Sequence, residues 1–77
     1  MKIEDITDND LREFLGWYRD FHGCRPADAP VITTCMCGYF HTYTKNANKL
    51  LTRCKRLKMV VKDKDRITIM SVQHAVR

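Results

Sequence analysis

A change of hydrophobic period inside the stretch Thr44–Ile69 constrains this chain more than any other feature. Its first half places Ala47, Leu50, Leu51, Cys54 and Leu57 at the spacing of one buried helical stripe, because residues three and four apart share a helix face. The opposite stripe holds Lys45, Lys49, Thr52, Arg53 and Arg56, flanked by Lys55 and Lys58, with no acid in the helix. Thr44 is the expected N-cap, although Ala47 stands where a capping box would carry Glu or Gln. After Lys58 the period shortens. Met59-Val60-Val61 and Ile67-Thr68-Ile69 are short β-branched runs around Lys62-Asp63-Lys64-Asp65-Arg66, the pattern of a hairpin with a charged tip.

At 77 residues the chain is near the size at which one core barely suffices. The expectation is a single domain over 1–77, with its core at about 7–70 and a flexible tail at 71–77. Such a core leaves little room for a deep catalytic cleft. No apolar run reaches membrane length, and the acidic opening MKIEDITD is unlike a signal peptide. A cytoplasmic location without a membrane partner follows as an expectation.

Charge is unevenly spread. Residues 1–30 hold seven acids and four bases, net −3, whereas residues 31–77 hold ten bases and two acids, net +8. Between Val31 and Lys62 there is no acid. That asymmetry suggests a nucleic-acid-facing surface on the C-terminal half, set against the plainer reading of a solvated basic helix face.

Upstream, Thr7 is the expected N-cap of a first helix, with Ile6 and Leu11 at the positions of a hydrophobic staple. Asp8 and Asp10 suit the positive end of that helix. Leu11, Phe14, Leu15, Tyr18 and Phe21 form its apolar stripe, with Trp17 off the middle, and His22-Gly23 ends it. Cys24–Pro30 reads as a loop with two prolines, and the β-branching of Val31-Ile32-Thr33-Thr34 predicts a short strand. Periodicity alone leaves Cys35–His41 open between helix and strand. His22 and His74 are expected in solvent.

The order of these elements resembles winged helix-turn-helix domains. Cys37 and Gly38 stand where the family carries an apolar residue and a small alanine. His41, Thr42, Tyr43 and Thr44 stand where leucine, glycine, valine and serine are usual. Ala47, Leu51, Cys54 and Leu57 match the buried positions of the recognition helix, and Lys58-Met59-Val60 matches the step into the wing. The chain departs from the pattern at the polar His41 and where Thr42 and Lys58 replace turn glycines. The resemblance spans roughly residues 8 to 70. It implies an α+β fold of three helices, a short strand and a C-terminal β-hairpin wing. In that fold Gly38 lets two helices approach closely.

The resemblance also implies duplex DNA as the partner, with the recognition helix in a major groove and the hairpin tip on the backbone or minor groove. Lys45, Asn46, Lys49 and Thr52 are then the base-facing set, since asparagine reads adenine and lysine reads guanine. Arg53, Lys55, Arg56 and Lys62 are phosphate contacts, joined by Lys64 and Arg66 at the wing tip. Tyr43 is open between core plug and phosphate contact. The implied role is that of a small transcriptional regulator or DNA-architectural protein. A homodimer, held by the first helix or by Ser71–Arg77, is a further possibility. The competing reading is a protein-interaction module on the same scaffold, meeting an acidic partner and using Trp17, Tyr18 and Tyr39 as aromatic anchors.

Two other chemistries are weaker. Cys24, Cys35, Cys37 and His41 are residue types that bind zinc, but C-x-C-x3-H departs from the usual knuckle spacing. Free core thiols without a metal or other cofactor are the expectation. A nucleophilic pair of Cys37 and His41 is conceivable, but nothing in the sequence orients the base, and the expectation is no enzyme.

Overall fold

The computed structural model describes residues 2–23 and 25–70. A single 3-10 turn at Ile3–Asp5 leads into α1, Asp8–His22. A two-residue strand β1, Ala27–Asp28, precedes α2, Ala29–Phe40, and α3, Thr44–Arg56. The chain then closes with the hairpin β2, Val60–Asp63, and β3, Arg66–Ile69. The fold is a small α+β domain of three helices and a three-stranded antiparallel sheet ordered β1-β3-β2. Cys24, the tail expected at 71–77 and His74 within it lie outside the described residues.

The start of α1 follows from its local sequence. Thr7 Oγ1 accepts from the Asp10 amide at 3.1 Å, and the Asp10 carboxylate accepts from the Thr7 amide at 2.9 Å. This reciprocal capping box satisfies two amides that a helix start otherwise leaves unpaired. At the other end Gly23, with φ 83°, ends the helix in a backbone conformation that side-chain-bearing residues rarely adopt. Leu11, Phe14, Leu15 and Tyr18 are fully buried, but Phe21 is 72 % exposed. The stripe therefore ends one turn earlier than the spacing predicts, because the neighbouring elements stop covering α1 there.

The strand expected at Val31–Thr34 is instead the first half of α2. Pro30 in the first turn of that helix supplies a preset φ where no amide partner is needed. The Thr33 and Thr34 hydroxyls donate to carbonyls one turn back. That bonding reconciles two β-branched residues with a helix. Ile32, Met36 and Phe40 then fall on the buried side. The strand itself lies just upstream, where Ala27 pairs with Ile67 and Asp28 with Arg66. Cys35–Phe40 is helical, which settles the open reading of that segment.

Both α2 and α3 end on a left-handed residue that is not glycine. His41 has φ 52° and Lys58 has φ 62°. The amide of Thr42 donates to the Cys37 carbonyl, and that of Met59 to the Cys54 carbonyl, each at about 3 Å. These six-to-one bonds close off carbonyls that a helix end leaves open. Tyr43, not Thr44, occupies the N-cap position of α3, and it makes no side-chain cap.

Three further expectations need correcting. Leu57 is 39 % exposed, since it follows α3 at a point where the chain turns outward. Gly38 permits no close approach among the described residues, because a Cβ there would meet none of them within 4 Å. His22 does not simply face solvent, for its ring stacks on Tyr18 with centroids 4.2 Å apart. The core itself is continuous from Ile6 through α1, α2 and α3 to Val60 and Ile67 of the hairpin. Burying apolar area across all these elements is the main stabilising term available to a domain of this size.

Candidate nucleic-acid interface

The amphipathic pattern of α3 decides how its charges are displayed. Ala47, Leu50, Leu51 and Cys54 are buried against the core, so the residues between them must point outward. Lys45, Lys49, Thr52 and Arg56 are exposed on the outward stripe, and Lys55 is exposed on the flank nearest the hairpin. Lys49, Thr52 and Arg56 share a shallow depression of about 370 Å³ with Asn48. Arg53, Lys55 and Arg56 stand in the last turn, where they favour the negative end of the helix dipole. Lys45 in the first turn opposes it.

The hairpin pleat sorts the wing residues. Lys62 lies opposite Ile67 in the strand register, so both point to the face turned toward α3. Thr52, Lys55, Lys62 and Asn48 consequently line one open groove of about 240 Å³ between α3 and the hairpin, floored by Leu51, Val60 and Ile67. Asn48 is the residue that sequence reasoning missed. Its spacing, three before Leu51 and four before Thr52, already put it beside Lys55 on the hairpin flank. Lys64 stands at the tip, in the two-residue turn closed by the Asp63–Arg66 pair, with φ 59°.

Other expected site residues are turned elsewhere. Arg53 reaches back across the molecule to the start of α1. Its Nε donates to Asp8 Oδ1 at 2.9 Å, one terminal nitrogen donates to the Ile6 carbonyl at 2.8 Å, and the other ion-pairs with the same Asp8 oxygen. That fork geometry suits arginine and fixes α3 to the N-terminal segment. Arg66, the neighbour of Ile67 in β3, points to the other face of the sheet. It donates to the Pro26 carbonyl at 3.0 Å, and its Nε stands 3.4 Å from Asp28 Oδ1. Asn46 donates to Thr42 Oγ1 at 3.0 Å and lines a separate cleft at the α2–α3 turn. Thr52 donates its hydroxyl proton to the Asn48 carbonyl at 3.0 Å, leaving its lone pairs facing outward.

Among the described residues, Lys45, Lys49, Lys55, Arg56, Lys62 and Lys64 stand at ion-pair distance from no carboxylate. Lys45, Lys49, Lys55 and Arg56 on an acid-free helix make a local positive field, which attracts a polyanion, and Lys62 and Lys64 extend it onto a wing that also carries Asp63 and Asp65. Tyr43 is 80 % exposed at the start of α3 and so does not plug the core. Of the proposed aromatic anchors, Tyr18 is fully buried, whereas Trp17 and Tyr39 are each a little under half exposed.

The titratable groups with displaced pKa values lie away from this surface. Burial pushes the Cys54 thiol up to about 12, with the adjacent Arg53 pulling it down slightly. Burial also raises Tyr18, whose hydroxyl finds no hydrogen-bond partner among the described residues. Cys37 and His41 line the cleft at the α2–α3 turn, and Cys37 Sγ lies 3.9 Å from Thr44 Oγ1. No group of three metal-binding side chains stands together among the described residues. None of the described helices is long and apolar enough to cross a membrane. Comparisons with protein-family models, curated proteins and solved structures return no match to this chain.

Proposed function

We propose that this chain is a winged-helix domain that binds duplex DNA through α3 and the hairpin, as a small transcriptional regulator or DNA-architectural protein. The observation that carries this reading is the acid-free run of cations along α3, continued by Lys62 and Lys64 across a shared groove. In this reading Lys45, Lys49 and Thr52 approach base edges, with Asn48 added as an amide able to pair with adenine. Lys55, Arg56, Lys62 and Lys64 contact phosphates and set the position of the helix. Arg53 and Arg66 serve chiefly to hold elements together, and Asn46 orders the turn before α3.

The test is an NMR titration with random-sequence duplex DNA at two salt concentrations. Amide shifts confined to residues 44–56 and 60–66, weakening steeply with salt, support the reading. Absence of shifts at low salt overturns it, because a surface with this charge cannot ignore a phosphate backbone there. The rival reading, a protein-interaction module without DNA binding, draws on the exposed rings of Trp17 and Tyr39. It takes over if the titration is silent.

A further inference from the structure

The solvent face of α2 carries no charge, and no contact among the described residues explains it. All twelve residues of Ala29–Phe40 are uncharged, whereas solvated helix faces normally carry charged residues. Val31, Cys35 and Tyr39 form one ridge along this face at four-residue spacing. On α1 a second ridge runs beside it, where the Trp17 and Phe21 rings stack with centroids 5.8 Å apart and planes 6° apart. Trp17 and Tyr39, 5.4 Å between centroids, join the two. Phe21 is 72 % exposed, Trp17 45 %, Val31 43 % and Tyr39 41 %. These four side chains expose roughly 400 Å² of mostly apolar area, the size of patch that marks a contact site on a small monomer.

Next to the ridges lies a low point. Gly38 is in the last turn of α2, exposed, with no described residue where its side chain would be. Glycine is unfavourable in a helix, and among the described residues neither a positive φ nor a close approach accounts for it.

We infer that this face pairs with the same face of a second copy of the chain. In a two-fold interface each residue near the axis meets its own copy, so any charge there would face a like charge. A twelve-residue helix without charge meets that requirement, which a different partner protein would not impose. The face also holds both halves of a fit, projecting rings on α1 and a side-chain-free site at Gly38 on α2. The exposed area is about half of what each partner contributes to a standard interface, and the backbone and small residues around Gly38 supply more. Glu13 and Asp20 flank Trp17 on α1 and remain at the solvated rim. No residue of the patch belongs to the basic surface, so the inference goes beyond the DNA reading and stands whether or not that reading holds.

Sedimentation equilibrium of the full chain in reducing buffer, from micromolar to millimolar concentration, provides the test. The expected result is a reversible monomer–dimer equilibrium. Gly38→Lys sets a charge against its own copy and should weaken dimerisation by about tenfold or more. Because that position is open in the monomer, the variant's melting temperature at low concentration should be unchanged or raised. Phe21→Lys, at the most exposed ring, should weaken the dimer in the same way. A chain that stays monomeric throughout overturns the inference. So does a dimer that both variants leave intact.

Discussion

Helices α2 and α3 are joined by a three-residue turn and packed on the same core, yet their outer faces are opposites. The outer face of α3 is positive from end to end, whereas that of α2 has no charge at all. Charge of one sign repels a second copy and attracts a polyanion. A neutral, ring-bearing face does neither, and gains by leaving water. Under the two proposals made above, the helices meet different partners. The contrast also explains why α3 was the easier helix to recognise, since polar and apolar residues alternate on it at a clear period. On α2 apolar residues occur on every side.

The shared core is where the two helices depend on each other most. Leu50 is fully buried, and Leu50→Ala should cost about 2–5 kcal/mol, enough to unfold much of a marginal domain. Denaturant titration would show it. A loss below 1 kcal/mol would mean that the core closes around the gap.

The charge contrast is sharpened by comparing lysines with the arginine clamp. Lys55→Ala and Lys62→Ala together should lower the salt slope of duplex binding by roughly two, at about 0.9 per phosphate contact, with little change in melting temperature. Asp8→Asn should do the reverse. It removes the carboxylate that holds Arg53 and should cost about 1 kcal/mol, discounted because both groups are partly exposed to water. If Asp8→Asn steepens the salt slope, the freed Arg53 has joined the DNA-facing set.

On the neutral side, Gly38→Ala should stabilise the monomer by at most about 0.5–1 kcal/mol, because the site is in the last turn of α2 and no described residue fills it. A thermal melt at low concentration reads this as a rise of a few degrees. A lower melting temperature would reveal a contact that the monomer fold does not show.

The smallest effect concerns pH and the thiols. The buried Cys54 thiol ionises near 12 when folded, against an ordinary value of 9.0. The raised value means that its contribution is present below pH 9 and is lost as pH climbs toward 12, because the unfolded chain releases this proton first. Stability should fall over that window in wild type and less in Cys54→Ala. At pH 8 an alkylating reagent should label Cys35 and Cys37, which are partly exposed, well before Cys54. Equal rates would show that α3 opens locally.

Much of the fold was legible in advance where local chemistry is self-sufficient. Thr7, Asp10 and Gly23 define the ends of α1 by bonds and backbone freedom confined to a few residues. The basic stripe of α3 and the step into the hairpin follow from spacing alone. Val31–Thr34 misled because β-branching argues for a strand in isolation, while Pro30 and the back-bonded hydroxyls favour a helix once the core accepts Ile32 and Met36. In the candidate site, the exposed lysines of α3 were readable from periodicity. Asn48 was passed over because an uncharged amide does not stand out among lysines.

What the sequence by itself determined is the set of periods, caps and charge signs, all of which act within one or two helical turns. The tertiary structure alone decided which charges remain available. Arg53 is drawn to Asp8 across 45 positions of sequence, and Arg66 to the Pro26 carbonyl across 40. It likewise decided that Lys62 faces the α3 groove, that Phe21 is left exposed, and that Gly38 meets no other described residue. The physical reason is common to all of these. Such pairings depend on which distant surfaces the shared core brings together, and a local pattern carries no information about its distant neighbours.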